Sequence, residues 1–209
     1  RGAPHFRVCT TDRLGSPPDT WLEAAAAAPG FFIERLAAFD GHLALVERGQ
    51  GRERVRVIGR VSGVSHEVRF PDAVYHVWID ANPDATSHSL RLGYTSLVTP
   101  VSYYDYDMER RALSLVQREE IEGYDASAFE TRLLMLPARD GVEVPVTLVG
   151  RRDVLAAGPA PALLFGYGAY GTNIPVYFDQ SRLVLLNRGF VYAMVHVRGG
   201  SELGRAWYR

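Results

Sequence analysis

The residues best equipped for chemistry cluster late in the chain, in Gly166-Tyr167-Gly168-Ala169-Tyr170-Gly171. Three glycines let a backbone approach a bound molecule closely, and two tyrosines add hydroxyl donors and an aromatic wall. The run follows Ala162 to Phe165, which reads as a short apolar strand of the buried kind. A loop in that place sits at the carboxyl end of a strand, the edge where open sheets covered by helices gather their ligands. A phosphate cradle is the rival use of a glycine loop. No helix starts directly after this one, however, and no Lys-Ser or Lys-Thr pair follows. On spacing alone a second alternative stays open, in which the glycines make a turn and the tyrosines pack.

A serine elsewhere invites the same question. Gly199-Gly200-Ser201-Glu202-Leu203 looks at first like a nucleophile elbow, but that sharp turn needs a small residue two places after the serine. Leu203 stands there, and no other serine has the flanking glycines, so Ser201 is not read as a nucleophile. The six histidines, His5, His42, His66, His76, His88 and His196, do not pair with one another, with Cys9 or with a carboxylate cluster at ligand spacing. No metal site and no cofactor is therefore expected. His196, on an apolar strand, reads as a satisfied core histidine on the same face as Arg198.

Two kinds of element must position these groups. Residues 30 to 136 read as all-β, in short runs rich in β-branched and aromatic residues separated by turns. His42 to Val46 and Val55 to Ile58 flank Arg48-Gly49-Gln50-Gly51, which is hairpin chemistry. A sandwich, a barrel or four-stranded propeller blades all fit this density. Ala24 to Ala28 is a helix former stopped by Pro29-Gly30, so a short surface helix or a loop is expected. Near Pro137 the grammar changes. Arg139-Asp140-Gly141 signals a tight turn, and Pro145 suggests an edge strand after it. Asp179 caps a helix that ends at Gly189, and Phe190 to Val197 is a continuous apolar strand. Strand, helix, strand is a βαβ unit, the beginning of a parallel sheet.

Composition sets wider bounds. At 209 residues and 47% apolar content the chain can bury a substantial core in one or two domains. A net charge of −1 makes no electrostatic case for nucleic acid or an anionic membrane. No apolar run reaches the roughly 18 residues of a membrane span, and no secretory signal is visible. One cysteine, Cys9, forms no internal disulfide, so a reducing, cytoplasmic setting is expected. The start Arg1-Gly2-Ala3-Pro4, without methionine, suits an internal fragment or a processed product, and a fragment is expected.

The glycine-tyrosine loop, taken with Arg198-Gly199-Gly200-Ser201-Glu202-Leu203-Gly204-Arg205-Ala206-Trp207-Tyr208, resembles the prolyl oligopeptidase family of serine peptidases. Tyr94 to Pro100, Tyr104 to Met108, Val77-Trp78-Ile79 and Ala138 to Pro145 are similar to its oligopeptidase B branch, as is Ala169-Tyr170. Arg209, where that branch commonly has glutamate, departs from it. The resemblance implies a mixed fold: residues 1–137 as the last blades of an all-β propeller, and 138–209 as the start of an α/β-hydrolase domain cut before its nucleophile. It implies cleavage of short peptides after Arg or Lys in the cavity between the two. The catalytic Ser, Asp and His would all lie beyond this chain, which alone should be inactive. By the same resemblance Tyr167 supplies an oxyanion hydrogen bond and Tyr170 an aromatic wall near the S1 pocket. A prolyl-specific relative and a non-catalytic propeller remnant are the alternatives.

Overall fold

Strands β1 (Arg7–Thr10) and β2 (Leu22–Ala26) pair antiparallel in the computed structural model, which describes residues 3–208. The readings of Arg1-Gly2 and Arg209 fall outside the described residues. Ala24, Ala25 and Ala26 of the alanine run are thus in a strand and not in the expected helix or loop, and only Ala27 and Ala28 lie outside it. Tertiary partners override its helix propensity. Ala25 packs beside Leu43, Leu45 and Ile58, Arg56 donates to the Ala26 carbonyl at 2.6 Å, and the Ala28 N–H donates to buried Glu47 at 3.3 Å.

Strands β3 (Phe32–Ala38), β4 (His42–Gly49), β5 (Arg52–Gly59) and β6 (Ser65–Glu67) form one antiparallel sheet in chain order. Between β4 and β5, Gln50 and Gly51 both take positive φ (54° and 74°), the backbone pattern of a type I′ hairpin turn. A second meander follows, of β7 (His76–Ile79), β8 (Ser89–Thr95), β9 (Ser102–Asp107) and β10 (Ala112–Arg118). The largest core lies between these two sheets. It joins Val46, Val55 and Val57 to Val77, Leu90, Leu92, Tyr94 and Tyr104. Tyr94 is fully buried, yet its hydroxyl donates to Asp72 at 2.6 Å, so the polar end is satisfied. Strand β4 is buried on both faces, because Leu43 and Leu45 point into the β1–β2 side while Ala44 and Val46 point into the main core. The two four-stranded sheets are open meanders and do not close into a ring.

The third sheet is mixed. Its strands are β11 (Phe129–Pro137), β12 (Glu143–Arg151), β13 (Ala162–Phe165) and β14 (Val191–Val195), in the order β11-β12-β14-β13. Helix α1 (Arg152–Ala157) follows β12, α2 (Leu183–Leu186) lies between β13 and β14, and α3 (Arg205–Tyr208) follows β14. Strands β13 and β14 are parallel, and the connection through α2 supplies the crossover that a parallel pair needs. Asp179 accepts from the Ser181 N–H at 2.9 Å at the start of that connection, and Gly189 takes φ +83° at its end. No helix among the described residues is long and apolar enough to cross a membrane.

Three expectations are corrected here. Strand β11 pairs with β12 along its whole length, from Phe129 opposite Arg151 to Pro137 opposite Glu143. A division at 137 would cut that hairpin in two, whereas strand pairing breaks between β10 and β11. Pro145 is not on an edge strand, since β12 lies between β11 and β14. It is tolerated because its carbonyl accepts the His196 N–H at 3.0 Å where the β14 ladder, which begins at Val146 opposite Val195, has run out. An extended residue turns N and C=O to the same side, so the missing N–H faces His196, whose carbonyl accepts the Trp207 indole N–H at 3.1 Å instead. Finally, β13 is exposed along its length, with Leu164 68% accessible. Among the described residues it borders β14 on one side only, where a buried strand was expected.

Candidate functional site

The loop Gly166–Gly171 leaves the carboxyl end of β13 and is braced by the segment after β14. Gly168 has φ +64° and Gly199 φ +97°, and a Cβ on Gly199 would lie 2.0 Å from the Gly168 carbonyl oxygen. Two backbones meet there without side chains between them, which only glycine permits. The Gly171 N–H donates to the Gly199 carbonyl at 2.8 Å, and the Thr172 N–H to that of Ala169 at 3.0 Å. Tyr170 sits in the left-handed region at φ +58°. For a residue with a Cβ that conformation is unfavourable by about 1–2 kcal/mol, so the surrounding bonds must hold it.

Both tyrosines point outward. Tyr167 is 52% and Tyr170 83% accessible, and the Tyr167 hydroxyl has no hydrogen-bond partner among the described residues. A free hydroxyl donor and a bare ring are groups that a bound molecule could use.

Beside this loop a cleft of about 940 Å³ is lined by β1, β3, β4 and β7 and by the loops that follow β13 and β14. Gly171, Asn173 and Ser201 form one wall, and Phe32, Glu34, Arg48 and Trp78 are among those on the other. Tyr167 and Tyr170 do not line it, although Gly171, which directly follows Tyr170, does. Ser201 turns its hydroxyl to the Gly171 carbonyl and its N–H to Asn173 Oδ1 at 2.9 Å. No histidine ring among the described residues bonds that hydroxyl, so it lacks a general base.

The cleft's charged floor was not singled out from the sequence. Arg48, 8% accessible, pairs with Glu53, 2% accessible, and its Nε donates to Glu34 Oε1 at 2.8 Å. Glu53 also meets His76 Nδ1 at 2.9 Å and accepts the Val77 N–H at 2.8 Å. Burial pushes the Glu53 carboxyl upward, but the Arg48 guanidinium, His76 and the Val77 N–H outweigh it and hold its pKa below the ordinary value. Burial likewise works against the Arg48 cation, and Glu53 and Glu34 more than offset it. The sequence signal was present: Glu47-Arg48 and Glu53-Arg54 flank the hairpin turn, where charges facing a two-sided core must pair. Residues so far apart could not be matched to Asn173 by any local pattern.

His196 is buried and satisfied. Its Nε2 lies 2.8 Å from Thr147 Oγ1, its Nδ1 3.7 Å from Glu202, and its carbonyl accepts the Trp207 indole N–H. The expected shared face with Arg198 fails. Strand β14 ends at Val195, the Val197 N–H turns back to the Val195 carbonyl, and Arg198 swings out to pair with Asp140.

A family model described as the prolyl oligopeptidase N-terminal beta-propeller domain matches residues 1–119, and one described as the prolyl oligopeptidase family matches 176–209. Dipeptidyl aminopeptidase BI of Pseudoxanthomonas mexicana is 37% identical over 99% of this chain and 29% of its own length. Protease 2 of Moraxella lacunata is 32% identical over 85% of this chain and 26% of its own. The solved structure of oligopeptidase B from Trypanosoma brucei with covalently bound antipain superposes with a TM-score of 0.80 at 30% identity, over 91% of this chain and 28% of that one. The chain therefore spans under a third of the length of the relatives it matches.

Proposed function

Because this chain belongs to the prolyl oligopeptidase family, we propose that it is a segment of a serine-type peptidase that hydrolyses short peptides after Arg or Lys. In this reading residues up to the break between β10 and β11 are propeller blades, and the mixed sheet begins an α/β-hydrolase domain. The attacking serine and its aspartate and histidine partners belong to sequence beyond these 209 residues. This segment supplies surroundings: the Tyr167 hydroxyl for the oxyanion and the Tyr170 ring as a wall of the S1 pocket. The observation that carries the proposal is the unpartnered Tyr167 hydroxyl at the strand edge where such sheets bind ligands. Likeness to a relative named Protease 2 and to oligopeptidase B supports the Arg/Lys preference. Lone Cys9 supports a cytoplasmic setting.

A second reading, removal of dipeptides from a free N-terminus, is favoured by the 37% identity to a dipeptidyl aminopeptidase. Assay of the full-length polypeptide on matched peptides, N-blocked and N-free, with Arg, Lys or Pro at P1 separates the readings. Blocked Arg and Lys peptides are expected to be cleaved and Pro peptides spared. Turnover confined to N-free peptides selects the second reading, and a Pro preference or no turnover at all sinks both.

A further inference from the structure

We propose that Asn173 is a positioning residue that ties the tyrosine loop to the charged floor of the first sheet; this deepens, and rests on, the peptidase reading above. Its side-chain amide is used on both sides. Oδ1 accepts the Ser201 N–H at 2.9 Å, and Nδ2 donates to Glu34 Oε1 at 3.0 Å. The orientation is fixed by chemistry, because a backbone N–H only donates and a carboxylate only accepts.

Each end of this bridge is itself anchored. Glu34 Oε1 is shared with Arg48 Nε, and Arg48 is locked by buried Glu53. On the other side Ser201 donates its hydroxyl to the Gly171 carbonyl, while the Gly171 N–H donates to Gly199. Gly171 directly follows Tyr170, whose left-handed backbone must be held in place. A chain of hydrogen bonds thus runs from β4 to the residue beside Tyr170, joining positions 139 apart in sequence at the Glu34–Asn173 contact. It passes through no catalytic group. Its effect is to fix where the loop presents its two tyrosines.

Asn173→Asp isolates the contact. The new carboxylate still accepts from Ser201 but faces Glu34 with like charge and no donor. In the full-length polypeptide, kcat is expected to fall about 10- to 100-fold, as small misplacements of reacting groups do, with KM moving less than about 3-fold. Glu34→Gln added to Asn173→Asp restores a donor with reversed polarity and is expected to recover most of kcat. Lost melting temperature with unchanged kcat, or no rescue, would mean that Asn173 is only structural. A readout independent of turnover is amide hydrogen exchange at Gly171 and Ser201 in Asn173→Ala, expected to quicken at least about 10-fold as the bonds open. Unchanged exchange overturns the tether. If the wild type cleaves no peptide, the exchange result still decides the tether, while the peptidase reading fails separately.

Discussion

Replacing Arg48 with alanine is expected to destabilise the fold by about 3–5 kcal/mol, the effect of stranding a buried charge by removing its partner. Glu53 is nearly inaccessible and Glu34 shares the same guanidinium, so the change leaves two carboxylates with no cation but the partly exposed His76 imidazole, the Val77 N–H on Glu53 and the Asn173 amide on Glu34. A domain stable by only about 5–15 kcal/mol would lose a large share of that margin. Urea unfolding of the full-length polypeptide measures it as a fall in midpoint at unchanged slope. Arg48→Met with Glu53→Gln, which removes both charges, should recover most of the loss. A deficit under about 1 kcal/mol for Arg48→Ala would show that water reaches the pair and screens it.

The same pair gives the fold a sensitivity to acid. Glu53 has a folded pKa below its ordinary value of 4.5. Its contribution is therefore complete above that value and is lost as pH falls through the lower, folded value. Urea midpoints are expected to hold from neutrality down to about pH 5 and to drop below pH 4.5, and the drop should shrink in Glu53→Gln. A variant that declines as steeply as the wild type would place the sensitivity in other carboxylates.

Tyr167→Phe is the second large effect. Removing one donor that acts on charge developed in the transition state lowers kcat by about 10²–10³-fold, equivalent to about 2.7–4 kcal/mol. KM should change little, because the ground-state carbonyl gains little from the same hydroxyl. Stability should not change either: the ring is half exposed and the hydroxyl has no partner among the described residues to lose. Steady-state kinetics on an arginyl ester, with a thermal melt of each protein, tests both statements. Near-normal kcat would remove Tyr167 from the oxyanion role, and a large fall in melting temperature would recast it as a packing residue. Asn173→Asp should resemble a milder form of this kinetic defect, since it displaces the loop and leaves the hydroxyl in place.

The local sequence determined what local hydrogen bonding and sterics can determine. Gln50-Gly51 specified a hairpin turn because few residues accept two consecutive positive φ values. Asp179 and Gly189 bounded the helical segment for the same kind of reason, one capping an N–H and the other turning left-handed. The glycine-tyrosine loop was legible as a candidate site because three glycines permit a close backbone approach and two tyrosines add donors and rings. Tertiary structure decided the rest. It drew the alanine run into β2 by offering it β1, Arg56 and an apolar bed, and these outweigh a helix preference of tenths of a kcal/mol per residue. It moved β11 into the mixed sheet, since a strand carries no mark of which neighbour will complete its ladder. Above all it brought Glu34 to Asn173. Spacing along a chain reports contacts made within a turn or a hairpin, whereas partners from different sheets are chosen only when the cores between them close.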